Sequence, residues 1–256
     1  MDLGLKGKKA IVTGGTRGIG RAIAETLAAE GADVAICARD QSQVNEAVAA
    51  LEKKGVKAFG GTVDIADGPA LKKWIAEAGQ LLGGIDIVVA NASALAQGNG
   101  EDAWRACFEI DVMGARNVCE AALPFLEKSA AASGDASATI ISSISAAEAE
   151  SAGAYGALKA AQIHLVKGLA KENAGKHVRF NAVSPGTVYF KGGVWGMVEE
   201  HMPEMFKATM ARNPTGRMAT PQDIANATVF LSSPASSFTT GINMVVDGAI
   251  SRRVNF

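Results

Sequence analysis

Two kinds of apolar pattern alternate along the chain, one typical of strands and one typical of helices. Short apolar runs, such as Lys9–Thr13 and residues 85–90, are typical of strands that are buried on both faces. The segments between these runs carry apolar residues three or four positions apart, which is the spacing of a helix with one buried face. Strand and helix follow each other repeatedly, and this succession predicts an α/β fold, a doubly wound parallel sheet with helices on both faces.

The second half of the chain adds a long helical segment and a run of small residues. Residues 101–127 carry apolar side chains at helical spacing, and a helix of this length could also pack against a partner subunit. Residues 129–137 are mostly alanine and serine, so we predict an exposed loop there rather than a linker between domains. No internal repeat and no shift of composition divides the chain, so we expect a single domain over residues 1–256.

The first predicted strand runs directly into a glycine-rich loop at residues 14–20, and a helix follows that loop. Glycine lets the backbone approach a phosphate closely, and the N-terminus of a helix offers amide donors and a positive dipole. Between a strand and a helix, the loop predicts a cradle for the pyrophosphate of a dinucleotide. The residues assigned to this cradle are Gly14, Thr16, Arg17, Gly18, Ile19 and Gly20.

The second predicted strand, Asp33–Ala38, ends at Arg39 and Asp40, where the ribose of the adenosine is expected. An arginine at this place can hold the additional phosphate of NADP(H), and Arg17 can contribute to the same site. An aspartate would instead bind the ribose hydroxyls of NAD(H). Because Arg39 comes first, NADP(H) is favoured, and NAD(H) bound through Asp40 is the alternative. Both charges could also be no more than the solvated end of a strand.

A third predicted strand ends at Asp64. Its carboxylate could accept a hydrogen bond from the amino group of adenine, which makes Asp64 a candidate for cofactor binding. It could equally cap the helix that is predicted to begin near Pro69, because aspartate is a favoured N-cap and proline a favoured first helical residue. The two roles do not exclude each other.

Tyr155 and Lys159 lie four residues apart in a segment predicted to be helical, so their side chains share one helix face. A fixed ammonium group beside a phenol favours the phenolate, and the tyrosine can then act as an acid or base near neutral pH. Such a pair also occurs by chance on solvated helices, so its meaning depends on the rest of the chain. Three serines, Ser142, Ser143 and Ser145, follow a predicted strand shortly before it.

Composition and charge argue against several classes of function. The chain is 48% apolar and 20% charged with a formal net charge of -1, which makes nucleic acid an unexpected partner. No apolar run is long enough for a signal peptide or a membrane span, so we expect a cytoplasmic protein without a membrane partner. Cys37, Cys107 and Cys119 lack the spacing of metal ligands and are assigned to packing, and no metal site is predicted.

Further motifs at strand ends complete a pattern that one protein family shares. These motifs are Thr13-Gly14 with Gly18 and Gly20, Asn91-Ala92, the serines after Ile141, Tyr155 with Lys159, Ser184-Pro185-Gly186, residues 230–234, and Asp247-Gly248. In their order and spacing the chain resembles the classical short-chain dehydrogenases/reductases over essentially its full length. The resemblance implies a Rossmann fold, with about seven strands, that binds a nicotinamide dinucleotide.

The resemblance implies roles for individual residues. Tyr155 would give or take the hydroxyl proton of the substrate, and Lys159 would also hold the ribose hydroxyls of the nicotinamide nucleotide. A serine would donate a hydrogen bond to the carbonyl oxygen. We assign this role to Ser143, although the spacing that is commoner in the family points to Ser142, and Ser145 is a third candidate. Cofactor contacts are also implied for Asn91, Pro185, Gly186 and Val188.

Asp111 stands where the family usually carries an asparagine that helps to hold a water near the catalytic lysine. A carboxylate can still accept a hydrogen bond from such a water but cannot donate one, and it adds negative charge near Lys159. We therefore expect a catalytic role for Asp111 in an altered proton relay. The change also keeps a second class of function open, a dinucleotide-binding regulatory or scaffold protein that has lost its chemistry.

Residues 187–216 correspond to the segment that covers the substrate in this family. The segment is rich in methionine and aromatic residues, which suit ordinary core packing or an adaptable lid over a hydrophobic or acyl ketone. The resemblance implies an oxidoreductase that transfers a hydride between NADP(H) and a carbonyl or secondary alcohol, in a homotetramer or homodimer. A reductase of 3-oxoacyl thioesters would differ only in its substrate. Phe190 lies near the place of a family threonine that contacts the nicotinamide, and Thr187 could take over that contact.

Overall fold

The computed structural model describes residues 2–149 and 152–254, and a single sheet of parallel strands forms its centre. The strands are β1 (Lys9–Thr13), β2 (Asp33–Ala38), β3 (Ala58–Thr62), β4 (Ile87–Ala90), β5 (Ala136–Ile141), β6 (Val178–Pro185) and β7 (Asn243–Val246). Their order across the sheet is β3-β2-β1-β4-β5-β6-β7, so the chain starts in the middle, winds to one edge, crosses back and winds to the other. This order confirms the predicted doubly wound α/β fold.

The helices cover both faces of the sheet. They are α1 (Gly18–Ala29), α2 (Gln41–Glu52), α3 (Gly68–Leu82), α4 (Glu101–Cys107), α5 (Ala115–Ser133), α6 (Ala154–Asn173), α7 (Val194–His201), α8 (Pro203–Arg212) and α9 (Pro221–Ser232). Side chains of α3, α5 and α6 form one apolar cluster, and side chains of α1, α2 and α9 form another. Ile11 of β1 points into the first cluster, whereas Ala10 and Val12 point into the second. A buried parallel strand serves both faces in this way, which explains the unbroken apolar runs.

The loop predicted at residues 129–137 is wrong for most of its length. α5 continues to Ser133 and ends at Gly134, whose φ is 80°, and β5 begins at Ala136. Alanine has the highest helix propensity, and Ala130 is buried in the core, so the small residues extend the helix instead of ending it. The predicted long helix begins at Glu101, but its middle part, Phe108–Gly114, is a π-helical segment.

Asp64 does not cap the third helix. α3 begins at Gly68, and its N-cap is Asp67, whose carboxylate accepts a hydrogen bond from the amide of Ala70 at 3.0 Å. Asp64 lies three residues earlier, and its carboxylate closes a local turn by accepting from the amide of Ala66 at 3.0 Å. The capping role predicted for Asp64 is therefore wrong, whereas its contact with adenine stays a prediction.

The three cysteines are free and buried, in agreement with the packing role assigned to them. Burial raises the pKa of Cys37 and of Cys119 to about 12, so both thiols are neutral and unreactive near neutral pH. Within residues 2–149 and 152–254, no group of His, Cys, Asp and Glu side chains could hold a metal ion. No helix in this part of the chain combines the length and the apolar character needed to cross a membrane.

Candidate active site

The assigned residues gather at the carboxyl edge of the sheet. Parallel strands all end at the same edge, and the chain reverses its winding direction between β1 and β4, which opens a crevice there. Five strand ends contribute residues to this edge, namely Gly14 after β1, Arg39 after β2, Asn91 after β4, Ser142 after β5, and Pro185 with Gly186 at the end of β6. The sheet topology thus brings together motifs that are far apart in the sequence.

The glycine loop is built around one close approach. Gly14 and Gly18 take positive φ angles of 65° and 54°. A Cβ atom at position 20 would lie 2.2 Å from the carbonyl oxygen of Gly14 and 2.4 Å from Nδ2 of Asn91. Only glycine fits there, because both neighbours are held in place by the fold. The tight turn lets α1 begin directly behind the loop.

Asn91 joins the loop to the next strand of the sheet. Its Nδ2 donates to the carbonyl oxygens of Thr13 (3.0 Å) and Gly14 (3.2 Å). In return, Oγ1 of Thr13 accepts from the backbone amides of Asn91 (3.0 Å) and Ala92 (3.2 Å). These four bonds clamp the ends of β1 and β4 together at the crevice. Nδ2 of Asn91 is thereby used to hold the glycine loop in place.

The N-terminus of α1 is open to an anionic group. Its N-cap is Arg17, and no side chain caps the first amides of the helix. Backbone N–H groups without an internal partner, together with the helix dipole, favour a phosphate at such a place. Ile19 follows in the first turn and is half-buried. The loop and the helix therefore fit the pyrophosphate of a dinucleotide, and binding at this place stays a prediction.

The end of β2 carries positive charge next to this loop. Oγ1 of Thr16 donates to Oε1 of Gln43 at 3.3 Å, which ties the glycine loop to the first turn of α2. Arg17 directly follows Thr16 in the chain, Arg39 directly follows β2, and both are exposed. Neither arginine forms an ion pair with another residue in the part of the chain that the structure describes. The two guanidinium groups are thus available for an anion.

Asp40 has a structural partner. Its carboxylate caps α2 by accepting from the amide of Gln43 (3.0 Å), and it also accepts from the hydroxyl of Ser42 (2.8 Å). The Gln43 amide first, and then the Ser42 hydroxyl, hold the pKa of the Asp40 carboxyl below its usual value. Both bonds use the same oxygen, Oδ1. Asp64, in contrast, is exposed at the end of the neighbouring strand region.

On the other side of the crevice, the segment after β6 leans over the glycine loop. Val188 forms a backbone bridge with Ala219 and is buried. The ring of Phe190 covers the start of α1, since a Cβ atom at position 18 would lie 2.5 Å from its Cζ. Thr187 donates its hydroxyl to Oδ1 of Asn213 at 3.0 Å, so this side chain braces the segment internally.

The segment then forms two short helices, α7 and α8. Four of its apolar side chains are exposed, namely Val194, Met197, Met202 and Met205. Exposed apolar side chains of this kind are typical of a surface that receives a ligand or a partner. The geometry agrees with an apolar cover, and the lid assigned to residues 187–216 stays a prediction.

Tyr155 and Lys159 lie on the first two turns of α6, and Lys159 reaches the last residue of β5. Lys159 is only 2% exposed, and its Nζ donates to the carbonyl oxygen of Ile141 at 3.0 Å. The same Nζ lies 5.6 Å from the centroid of the Tyr155 ring. The ammonium group is therefore held out of water, at the end of β5 and beside the phenol. This is the arrangement that the spacing of the two residues predicts.

Asp111 is the direct counter-ion of Lys159. Its Oδ1 lies 2.9 Å from Nζ of Lys159, as an ionic contact rather than an aligned hydrogen bond. Its Oδ2 accepts from the amide of Ala94 at 3.2 Å. Asp111 is 1% exposed and lies in the π-helical segment, which widens the turn that carries it. A buried charge of either sign would be costly alone, so each residue stabilises the other.

The serines after β5 differ in their hydrogen bonds. Ser142 is buried, and its hydroxyl donates to the carbonyl oxygen of Lys159 at 3.0 Å. Ser143 caps the 3₁₀ turn Ile144–Ala146, and its Oγ accepts from the amide of Ser145 at 3.1 Å. The hydroxyl hydrogen of Ser143 is not used by this bond. Ser142 therefore braces α6, while Ser143 can still donate a hydrogen bond.

Two residues of this region were not identified from the sequence. Gly156 follows Tyr155, and a Cβ atom there would lie 2.6 Å from the carbonyl oxygen of Ser145, so its small size brings the serine turn against α6. Gln162 is 1% exposed, and its Nε2 donates to the carbonyl oxygen of Asp111 at 2.6 Å. The sequence contained one indication of Gln162, since a residue three positions after Lys159 lies on the same face of the helix.

Comparison with known proteins supports this picture. The profile of a family described as enoyl-(acyl carrier protein) reductase matches residues 14–251, a range that holds the cradle and the buried Lys159–Asp111 pair. Isoepoxydon dehydrogenase patN of Penicillium expansum is 38% identical over 255 residues, which cover 98% of this chain and 97% of that protein. The chain belongs to the short-chain dehydrogenase/reductase family.

Solved structures of short-chain dehydrogenases/reductases share the fold over nearly the whole length. A 7α-hydroxysteroid dehydrogenase complexed with NADH and 7-oxo glycochenodeoxycholic acid is 30% identical, with a TM-score of 0.89 and coverage of 99% of this chain and 98% of that one. A short-chain dehydrogenase from Burkholderia cenocepacia J2315 in complex with NADP is 29% identical, with a TM-score of 0.85 and coverage of 96% and 98%. The chain is thus an oxidoreductase of this family with a Rossmann fold.

The close approach at Gly20 gives a test of the cradle. Gly20→Ala is expected to lower the free energy of unfolding by about 2 kcal/mol, because the new methyl group meets the backbone of Gly14 and the amide of Asn91. Gly168→Ala on the exposed side of α6 is the matched control. Its Cβ meets no atom within 4 Å, so it is expected to stabilise the protein by about 0.5 kcal/mol. Urea unfolding of the two variants measures both effects, and equal stabilities would contradict the assigned role of Gly20.

Proposed function

We propose that the protein is an NADP(H)-dependent oxidoreductase that interconverts a ketone and a secondary alcohol. One observation carries the proposal, namely the ammonium group of Lys159, which is buried to 2% exposure and held 5.6 Å from the ring centroid of Tyr155. A lysine fixed out of water beside a half-buried tyrosine has little structural purpose, because an apolar side chain would fill the same place at a lower desolvation cost. Placed beside a dinucleotide cradle, the pair supports acid–base catalysis.

Tyr155 is proposed as the general acid and base. In ketone reduction its hydroxyl gives a proton to the carbonyl oxygen, and in alcohol oxidation its phenolate takes the hydroxyl proton. Lys159 favours the phenolate through its charge, and the family suggests that it also binds the ribose of the nicotinamide nucleotide. Bound NADP(H) would supply or accept the hydride. The bond to Ile141 and the contact with Asp111 keep the ammonium group at one place during the proton transfer.

Ser143 is proposed as the hydrogen-bond donor to the carbonyl oxygen. The oxygen gains negative charge in the transition state, and a donor fixed in advance stabilises that charge. Ser143 fits the role because its Oγ is oriented by the amide of Ser145 and its own hydrogen remains to donate. Ser142 fits less well, since its hydroxyl is buried and bonded to the backbone of Lys159.

NADP(H) is proposed as the cofactor on the grounds of charge. Arg17 and Arg39 present two guanidinium groups near the predicted ribose site, and guanidinium groups bind phosphate strongly. Asp40, which would favour NAD(H), already caps α2. One similar solved structure holds NADP and another NADH, so the family admits either cofactor. The cradle residues, together with Asp64, Asn91, Pro185, Gly186 and Val188, are proposed to hold the remainder of the dinucleotide.

The proposed substrate is a hydrophobic or acyl ketone. Met197 of α7, Met205 of α8 and Met202 between these helices are exposed, and flexible thioether side chains adapt to apolar ligands of different shapes. We also infer a homotetramer or homodimer in the cytoplasm. Apolar side chains exposed outside the crevice, such as Trp104, Phe108 and Phe238, support burial against a second subunit.

The second candidate function is dinucleotide binding without catalysis. One observation favours it, because Asp111 places a negative charge 2.9 Å from the ammonium group and partly cancels its effect on the phenol. Such a protein would bind NADPH but would reduce no ketone. The first of the following experiments separates the two functions.

Turnover should depend on one of the two tyrosines. With NADPH and a panel of steroid ketones, sugar ketones and 3-oxoacyl thioesters, Tyr155→Phe is expected to lower kcat by about 10²- to 10⁴-fold, because the proton donor is lost. The control is Tyr189→Phe, whose hydroxyl bonds to Glu199 at 2.5 Å, and it is expected to lose far less activity. Binding of NADPH without turnover of any ketone would favour the second candidate function.

Cofactor choice should depend on Arg39. Arg39→Asp removes a phosphate-binding charge and adds a carboxylate, so kcat/KM for NADPH should fall by about 10-fold or more while that for NADH changes little. Arg105→Asp is the control, since Arg105 is exposed on α4 and paired with Glu101. Steady-state kinetics with both cofactors measure the ratio. An unchanged ratio would rule out the proposed phosphate site.

The pH dependence of ketone reduction should respond to Asp111. Asp111→Asn removes the negative charge that opposes the pull of Lys159, so the phenolate forms more readily and the midpoint of the pH–rate profile moves to lower pH. Glu109→Gln, an exposed change in the same π-helical segment, should leave the midpoint in place. Profiles of kcat/KM that coincide for the parent protein and Asp111→Asn would deny Asp111 a role in proton transfer.

A further inference from the structure

Gln162 carries a buried side-chain amide on α6, the helix that also carries Tyr155 and Lys159. It lies three residues after Lys159 on α6, so the two side chains leave the same face of the helix. Its side chain is 1% exposed. Nε2 donates to the backbone carbonyl oxygen of Asp111 at 2.6 Å. α6 therefore reaches Asp111 twice, with Lys159 on its carboxylate and with Gln162 on its backbone.

These contacts hold Asp111 from three sides. Oδ2 of the carboxylate accepts from the amide of Ala94, and Oδ1 lies 2.9 Å from Nζ of Lys159. The bond from Gln162 then fixes the backbone on which this carboxylate is mounted. Asp111 lies in a π-helical segment, a rare form that occurs mostly as short turns within α-helices and frequently at functional sites.

The amide of Gln162 is costly in this place. Oε1 of Gln162 is buried, and it finds no hydrogen-bond partner among the described residues. A buried polar atom without a partner lowers the stability of the folded protein, and a methionine of similar size would avoid that cost. The bond to Asp111 is the interaction that the side chain provides in return, which points to a role in the site rather than in core stability.

We propose that Gln162 is a positioning residue for proton transfer, because its bond to the backbone of Asp111 keeps the Asp111 carboxylate against Lys159 and so sets the charge beside Tyr155. The inference rests on the proposed function of the Tyr155–Lys159 pair. If the bond is lost, the carboxylate moves away from Nζ on average. The positive charge of Lys159 beside the phenol of Tyr155 is then less compensated by negative charge, as it is when Asp111 is replaced by a neutral residue.

The other groups around Lys159 and Asp111 do not alter the charge beside the phenol of Tyr155 in the same way. Within residues 2–149 and 152–254, the titratable side chains that interact at this centre are Tyr155 and Lys159 of α6, Asp111 of the π-helical segment, and Cys107 at the end of α4. Burial, followed by the charge of Asp111, raises the pKa of the Cys107 thiol, so Cys107 stays neutral near neutral pH. The strand end contributes the carbonyl of Ile141, which does not titrate. Displacement of Asp111 is thus the change that alters the charge beside the phenol.

The experiment uses the fact that the chain contains only two tyrosines. In a Tyr189→Phe parent, the near-ultraviolet absorbance of phenolate reports Tyr155 alone, and no cofactor or turnover is needed. Gln162→Met removes the amide donor and keeps the length of the side chain. We expect the midpoint of phenolate formation to move to lower pH, in the same direction as for Asp111→Asn and by no more than that variant. In an Asp111→Asn background, Gln162→Met should cause no further shift.

The matched control is Asn173→Leu, which removes another buried amide from α6. Asn173 donates to the carbonyl oxygen of Leu169 at 2.9 Å, away from the site, so its loss should leave the midpoint in place. Gln162→Asn, which keeps the amide but is one methylene too short to reach Asp111, replaces Gln162→Met if that variant does not fold. The same midpoint in the parent and in the Gln162 variant would overturn the inference, as would an equal shift in the Asp111→Asn background.

Failure of the proposed function gives a different result. If the parent protein binds NADPH but reduces no ketone, the proposed reaction is wrong whatever the titration shows. If the parent reduces a ketone and loses this activity with Tyr155→Phe, but the Gln162 variant titrates like the parent, only the role of Gln162 is wrong. The pH–rate profile of Gln162→Met provides the second readout, and its midpoint should move together with that of phenolate formation.

Discussion

The ion pair of Lys159 and Asp111 is the interaction on which the arrangement of this site depends. Both side chains are almost completely removed from water, at 2% and 1% exposure, and their charged atoms are 2.9 Å apart. Loss of either partner would leave an uncompensated charge in the core, which typically costs about 3–5 kcal/mol. The pair therefore forces α6 and the π-helical segment into one relative position. The carbonyl of Ile141 adds the end of β5 to the same centre.

A second constraint acts at the middle of the sheet. The clamp between Thr13 and Asn91 joins β1 to β4 at the place where the chain reverses its winding direction. Gly20 lets α1 start close behind this clamp, so the open amides of the helix face the crevice. The buried ion pair lies further along the same edge of the sheet. The glycine loop proposed as a dinucleotide cradle and the proposed acid–base pair are thus held at the same edge of the sheet, where a bound dinucleotide and a substrate would be kept in fixed positions.

Much of the fold could be predicted because buried strands and helices have characteristic local patterns of apolar residues. β1 and β4 are covered on both faces and read as unbroken apolar runs, while the helices between them show one apolar face. Such patterns mislead where the same residues are compatible with two kinds of local structure. The alanines before Gly134 suit a loop by their small size, yet their helix propensity and the burial of Ala130 extend α5. Asp64 was predicted to cap α3, but the helix begins at Gly68, so Asp67 is its N-cap.

The succession of strands and helices, the glycine-rich loop before α1, the pairing of Tyr155 with Lys159 and the family could be predicted from the sequence, because they depend on residues close together in the chain or on the order of motifs. The contacts between polar groups became known only from the folded structure. It placed Asp111 against Lys159 and Gln162 against Asp111, and it gave Ser142 a bond to the α6 backbone that leaves Ser143 free to donate. Such contacts join segments that are distant in sequence, and their geometry is set by the packing of whole helices rather than by any local pattern.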